Sequence, residues 1–127
     1  LTQDSSIQYM VTAGFNSVAF QTKEITSILE KYDIKVSSLL VDGGMVKNKT
    51  FCQILANSLE KEILQPQNVE STALGACIVA MASSGNDLNN IIASDMDIFK
   101  PNVENTISIK KSYDEWKSYL IHTMRPK

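Results

Sequence analysis

Apolar and small residues recur at steps of three and four between Ser5 and Tyr32: Ile7, Met10, Val11, Gly14, Phe15, Val18, Ile25, Ile28, Leu29 and Tyr32. That spacing predicts one stripe on a long amphipathic helix. Ser5 and Gln8 have the spacing of a capping box, with Ser5 as N-cap. Gly14 costs a helix interior about 1 kcal/mol against Ala; it either permits a close approach or is without consequence. From Val36 to Val41 the period changes. Ser37 and Ser38 break strict alternation, but Leu39-Leu40-Val41 is the short apolar run expected of a buried parallel strand. Asp42-Gly43-Gly44 closes it, and a helical pattern returns from Lys47 to Leu59, with Phe51, Ile54, Leu55, Ser58 and Leu59 on one face.

Glu62-Ile63-Leu64-Gln65, stopped by Pro66, reads as a brief strand. After the loop Gln67 to Glu70, Ser71 to Ala82 is so rich in small and apolar residues that a buried helix is predicted. Ser71 or Thr72 is the expected cap oxygen, and Ser83-Ser84-Gly85-Asn86 the end. Asp87 to Ala93 is a candidate short helix, and Phe99 to Asn102 an extended or turning stretch. Ile109, Tyr113, Trp116, Leu120 and Met124 mark a final amphipathic helix over Thr106 to Met124. Helix, strand, helix, strand, helix and helical tail predict an α/β fold with parallel strands, right-handed crossovers and helices on both faces. Two strands are too few for an ordinary sheet, so further strands are expected upstream or in a partner. No internal repeat or low-complexity linker interrupts the order.

Composition narrows the function classes. The 127 residues carry a formal net charge of -2, with 43% hydrophobic and 20% charged residues, which suits one soluble domain or part of one. This balance gives no electrostatic reason to expect nucleic acid or an anionic membrane. No apolar run approaches the roughly 20 residues of a membrane span. The N-terminus lacks a signal-peptide pattern and an initiator Met, so the chain is expected to begin partway through a longer protein. Cys52 and Cys77 are expected to be buried free thiols of a reducing compartment, and no metal-site spacing is found.

The candidate chemistry centres on Val41 to Asn48. A strand-Asp-Gly-Gly-helix turn sits where open α/β sheets bind ligands, and glycines there permit a sharp turn or close contact with a ligand face. The turn is either a tight connection or such a site. Asn48 either caps the next helix or points an amide at a ligand. Asp42 is more plausible holding the turn through backbone hydrogen bonds than as an acid or base. Lys47 and Lys49 flank the turn as candidate phosphate contacts, though basic runs such as these and Lys110-Lys111 are more often solvated surface. His122 reads as solvated, Tyr113 and Trp116 as core anchors.

Read together, the motifs resemble a known family. The run Val41-Asp42-Gly43-Gly44-Met45-Val46-Lys47-Asn48, then Gln65-Pro66, then Glu70-Ser71-Thr72-Ala73-Leu74-Gly75-Ala76, resembles the C-terminal domain of the FGGY carbohydrate kinases, most nearly the glycerol kinases. Ala13 and Ser17-Val18-Ala19-Phe20-Gln21-Thr22 are similar to the family's first helix, and Phe99, Pro101, Tyr113, Trp116 and Lys117 to its finish. Thr12, Gly14, Asn16, Met45 and Lys47 depart from the pattern, which usually has Arg, a larger residue, Glu and, at the last two, small residues.

The resemblance implies that residues 1–127 are the C-terminal portion of the second, nucleotide-side domain of an actin-like ATPase (ribonuclease H-like) fold. It implies adenosine contacts from Gly43, Gly44, Met45 and Asn48, with the Thr72 to Ala76 helix packed behind. It implies a cytoplasmic enzyme that uses ATP/ADP and Mg2+ to phosphorylate glycerol or a related polyol held mostly by the N-terminal domain, with domain closure excluding water. The catalytic aspartate and Gly-Thr-Gly phosphate loop of that family lie upstream of these residues, so no catalytic residue is expected in this chain. Another sugar or polyol kinase, or a noncatalytic kinase-like oligomerisation module, are the alternatives; homo-oligomerisation is left open.

Overall fold

The computed structural model describes residues 6–67, 71–85 and 95–123. In chain order it has α1 (Ile7–Lys31), β1 (Ser38–Leu40), a 3₁₀ turn (Gly44–Lys47), α2 (Lys49–Leu59), β2 (Glu62–Pro66), α3 (Ser71–Ser83), β3 (Met96–Phe99) and α4 (Val103–Thr123). The mixed α/β class expected from the alternating periods is present. The predicted Asp87 to Ala93 helix and Met124 lie outside the described residues.

The sheet order is β1-β2-β3. β1 pairs with β2 in parallel, Leu39 opposite Ile63 and Leu40 opposite Leu64. β3 runs antiparallel to β2, Ile63 opposite Phe99 and Leu64 opposite Ile98. The strands are therefore not all parallel, and a third strand lies just before the stretch Phe99 to Asn102, sharing only Phe99 with it. Met96-Asp97-Ile98-Phe99 is too short to announce itself; pairing with β2 makes it a strand.

Register places two rows on opposite faces of this sheet, because side chains alternate along a strand. Leu39, Ile63 and Phe99 form the row that meets α1 and α2. The core there contains Ala19, Val46, Phe51, Cys52, Leu55, Ala56, Leu59 and Ile63, with Phe15 and Val18 against it. Phe15 and Phe51 meet with ring centroids 5.4 Å apart, a tilted contact of favourable aromatic geometry. Leu40, Leu64 and Ile98 form the opposite row, and Leu40 is 63% and Ile98 55% exposed. The expectation of helices on both faces is corrected: among the described residues only one face is covered, and β1 is not a buried strand.

Two further expectations change. α3 is exposed along most of its length, with Val79 70% exposed and Cys77 exposed rather than buried. Its all-round apolar pattern records a need for cover that the described elements do not supply. In α1, Ile7, Met10, Val11, Ile25 and Ile28 of the stripe are exposed, whereas Ala19, Phe20 and Thr26 are buried. The burial follows where α2 and α4 cross the helix, not the whole stripe. Its N-cap is Ser6, which accepts from the Tyr9 amide; Ser5 lies outside the described residues. α3 runs from Ser71, and the residues just before it lie outside the described residues.

α4 is set by Asn102, whose Oδ1 accepts from the Glu104 and Asn105 amides at 3.0 and 3.3 Å, three residues earlier than the apolar pattern alone predicted. Buried Asn57 of α2 accepts from the Asn102 amide at 2.8 Å and from Gln53 Nε2 at 3.0 Å. Gln53 also donates to the Lys100 carbonyl at 2.8 Å. These amides fix where α4 leaves the sheet.

Candidate functional site

The Asp42–Asn48 segment leaves the carboxyl end of β1. Pairing continues one residue past the strand, the Val41 amide donating to the Leu64 carbonyl at 3.0 Å. Asp42 Oδ1 then accepts from the Gly43 amide at 2.7 Å, the turn-holding geometry expected of it. Gly43 has φ 102 and ψ 179, a conformation essentially restricted to glycine. Gly44 opens the 3₁₀ turn, Met45 is half-exposed, and Val46 is buried beneath them. An added Cβ on Gly44 would meet nothing within 4 Å, so the protein's own packing does not demand glycine there.

Asn48 ends the turn and caps α2. Its Oδ1 accepts from the Thr50 amide at 3.0 Å and the Phe51 amide at 3.4 Å, satisfying donors that a helix start leaves without carbonyls. Gly43, Gly44, Met45 and Asn48 are thus gathered on one short ledge, with Asn48 in the capping role. Lys49 pairs with Asp97 at 2.9 Å, which removes it as an uncommitted phosphate contact. Lys47 is exposed beside the ledge. The segment is a wall rather than an enclosed cavity. A hollow of about 350 Å³ lies instead between α1, α2 and α4, and one of about 370 Å³ beside Trp116 and Leu120; the turn lines neither.

Behind the ledge, buried Cys52 donates from Sγ to the Val46 carbonyl at 3.2 Å. The sequence reading took Cys52 as inert core and missed this link, because a thiol's partner six residues back is invisible to periodicity. Burial, then the Asp97 charge, push the Cys52 thiol pKa up. Among the described residues no group of three or more His, Cys, Asp or Glu is placed to hold a metal ion, and no helix is long and apolar enough to cross a membrane.

A second polar cluster ties α1 to α4. The Tyr113 hydroxyl donates to Glu24 Oε1, and Lys117 Nζ donates to the same oxygen at 2.7 Å. The Lys117 and Tyr113 hydrogen bonds hold the Glu24 carboxyl below the usual carboxylate range. Burial and the Glu24 carboxylate raise Tyr113, and hydrogen bonds to Glu24 and Tyr113 raise Lys117. Phe20 packs against Tyr113 and Trp116 at 5.5 and 5.7 Å, so both aromatics are the anchors expected of them. Glu24 was missed; its only sequence signal is its place one turn after Phe20 on the α1 face that meets α4. His122 is exposed, as expected.

Comparisons with known proteins bear on this arrangement. The profile of the FGGY family of carbohydrate kinases, C-terminal domain, matches residues 1–84. A glycerol kinase of Alteromonas mediterranea is 34% identical over 123 residues, 93% of this chain and 24% of that protein. One from Haloferax volcanii is 42% identical over 86 residues, 67% of this chain and 17% of that protein. The crystal structure of Plasmodium falciparum glycerol kinase with ADP superposes with a TM-score of 0.73 at 26% identity, over all of this chain and 26% of that one. Xylulose kinase from Rhodospirillum rubrum, at 16% identity and a TM-score of 0.77 over 96% of this chain and 26% of that one, shares the fold. The chain therefore spans about a quarter or less of the relatives it matches, and its elements are those of the actin-like ATPase fold in their C-terminal domain. Strand, glycine turn, capped helix and aromatic finish thus sit in one inherited frame: the chain belongs to the FGGY family of carbohydrate kinases.

Proposed function

We propose that this chain is the nucleotide-side part of a kinase that transfers the γ-phosphoryl group of ATP to glycerol, giving glycerol 3-phosphate and ADP. The observation that carries the reading is the ledge at the carboxyl end of β1. Gly44 presents backbone with open space where a Cβ would stand, and a flat base needs such an approach. In this reading Gly43 shapes the turn, Gly44 and Met45 lie against the adenosine, and Asn48 meets the base from the start of α2. The similarity to glycerol kinases, one solved with ADP, supports the choice of nucleotide and polyol.

In this reading the chain's own work is binding and orientation. Positioning and electrostatic stabilisation dominate phosphoryl transfer, and the catalytic aspartate and phosphate loop belong to the rest of the polypeptide. Mg2+ would neutralise phosphate charge when bound. The described residues offer it no ligand cluster.

Titration of ADP and of ATP into wild type and Gly44→Val tests the reading. A loss of affinity of about tenfold or more, the equivalent of ~1.4 kcal/mol, with unchanged thermal stability is expected. Unchanged affinity, or a wild type that binds no adenine nucleotide, overturns it. A substrate screen on the complete polypeptide separates glycerol from other sugars and polyols. The exposed Leu40 and Ile98 on the open sheet face favour a second reading, a noncatalytic module that pairs through that face. A stable dimer without nucleotide binding would select it.

A further inference from the structure

Val46 is the buried residue of the 3₁₀ turn, with Gly44 and Met45 on one side and Asn48 on the other. In a continuous helix its carbonyl would accept from the amide four residues on, that of Thr50. That amide instead donates to Asn48 Oδ1 at 3.0 Å. Asn48, extended at φ -85 and ψ 105, breaks the helical path there, so the Val46 carbonyl receives no ladder amide from Thr50. The Cys52 thiol stands in for it at 3.2 Å, from a side chain that is 0% exposed. The same sulfur lies 3.9 Å from Oε1 of buried Gln65 in β2, so the thiol stands between the turn and the sheet. The raised thiol pKa keeps that proton on sulfur.

We propose that Cys52 is a positioning residue of the nucleotide turn: its thiol holds the Val46 carbonyl and thereby sets the backbone of Gly44 and Met45 and the cap Asn48 against the adenosine. This rests on the adenosine reading above. It predicts a residue that never touches the nucleotide yet governs its affinity, with little effect on the chemical step.

The test compares donors at constant volume in the complete polypeptide. Alanine and serine remove nearly the same volume, but only serine keeps a donor. Cys52→Ala should raise the KM for ATP and the Kd for ADP by about three- to tenfold, the range one hydrogen bond spans, with kcat little changed. Cys52→Ser should restore both to within about twofold of wild type, since a hydroxyl donates where the thiol did. Cys52→Val, which fills the space without a donor, should follow Cys52→Ala and serves if the alanine variant does not fold. Amide exchange over residues 45–48 should quicken in the donorless variants alone. Equal affinities and equal exchange in the serine and donorless variants overturn the proposal. A wild type that binds no adenine nucleotide overturns the adenosine reading instead, and exchange then decides the role of the thiol by itself.

Discussion

Lys117 Nζ and the Tyr113 hydroxyl converge on a single oxygen of Glu24, joining α4 to α1 across about seven-tenths of the chain's length. The carboxylate is charged in the folded protein under conditions where it would begin to protonate in the unfolded chain. Its contribution is fully present above the ordinary glutamate pKa of about 4.3 and is lost as pH falls through the lower folded value. Tyr113 and Lys117, both raised, add stability present below about pH 10 that is lost as pH rises through their folded values. Thermal stability should thus be flat near neutrality and fall at both ends.

Glu24→Gln should lower stability by only about 0.5–1 kcal/mol near pH 7, because the Glu24 and Lys117 side chains are 31% and 45% exposed and solvent screens the pair. The difference from wild type should shrink toward pH 3. Melting curves collected across pH check both statements; a difference that grows in acid would contradict the assignment.

The adjacent glycines of the turn should behave differently. Gly43→Ala forces a side chain into φ 102 and should cost about 1–3 kcal/mol of folding stability. Gly44→Ala meets no atom within 4 Å and should leave folding within about 0.5 kcal/mol. Denaturant titration of the two variants separates a glycine required by backbone from one that is not.

Asn57→Ala should be costly. It leaves the part-buried Asn102 amide without its 2.8 Å partner, while Gln53 keeps the Lys100 carbonyl, a loss of about 1–2 kcal/mol. The effect should appear in denaturation midpoint, with faster amide exchange at the start of α4.

The two thiols should label in sequence. In the 127-residue chain Cys77 is exposed and Cys52 buried, so iodoacetamide should modify Cys77 in the native state and Cys52 only after unfolding. Mass mapping of the labelled peptides resolves them. Protection of Cys77 within a longer polypeptide would report a surface laid over α3.

Local signals carried much of this fold. β2 begins at Glu62 as expected but runs through Pro66, which pairs with Met96 rather than stopping the strand, and Asn48 and the glycines gave α2 its start. Neighbours decided the remainder. Nothing in Met96-Asp97-Ile98-Phe99 by itself says strand; β2 does. The apolar pattern of α3 states a preference for burial without naming a partner, and so misplaced Cys77. The α1 cap is Ser6, one residue after the Ser5 expected, because adjacent serines offer the same oxygen. At the site, the glycines and Asn48 were legible because turns and caps are local chemistry. The Cys52 link was not, because it depends on a carbonyl left without a ladder amide where Asn48 breaks the helical path.

The cap also dictates the polarity of anything Asn48 can say to a ligand. A carboxamide speaks with an acceptor at one end and donors at the other, and here the acceptor end is spent on the Thr50 and Phe51 amides. What the side chain retains for a visitor is N–H. A ring nitrogen with a lone pair can answer it; an exocyclic amine cannot. The helix, by fixing which way the amide lies, leaves only N–H for any ligand that reaches it; in the adenosine reading, that selects a ring nitrogen as its partner.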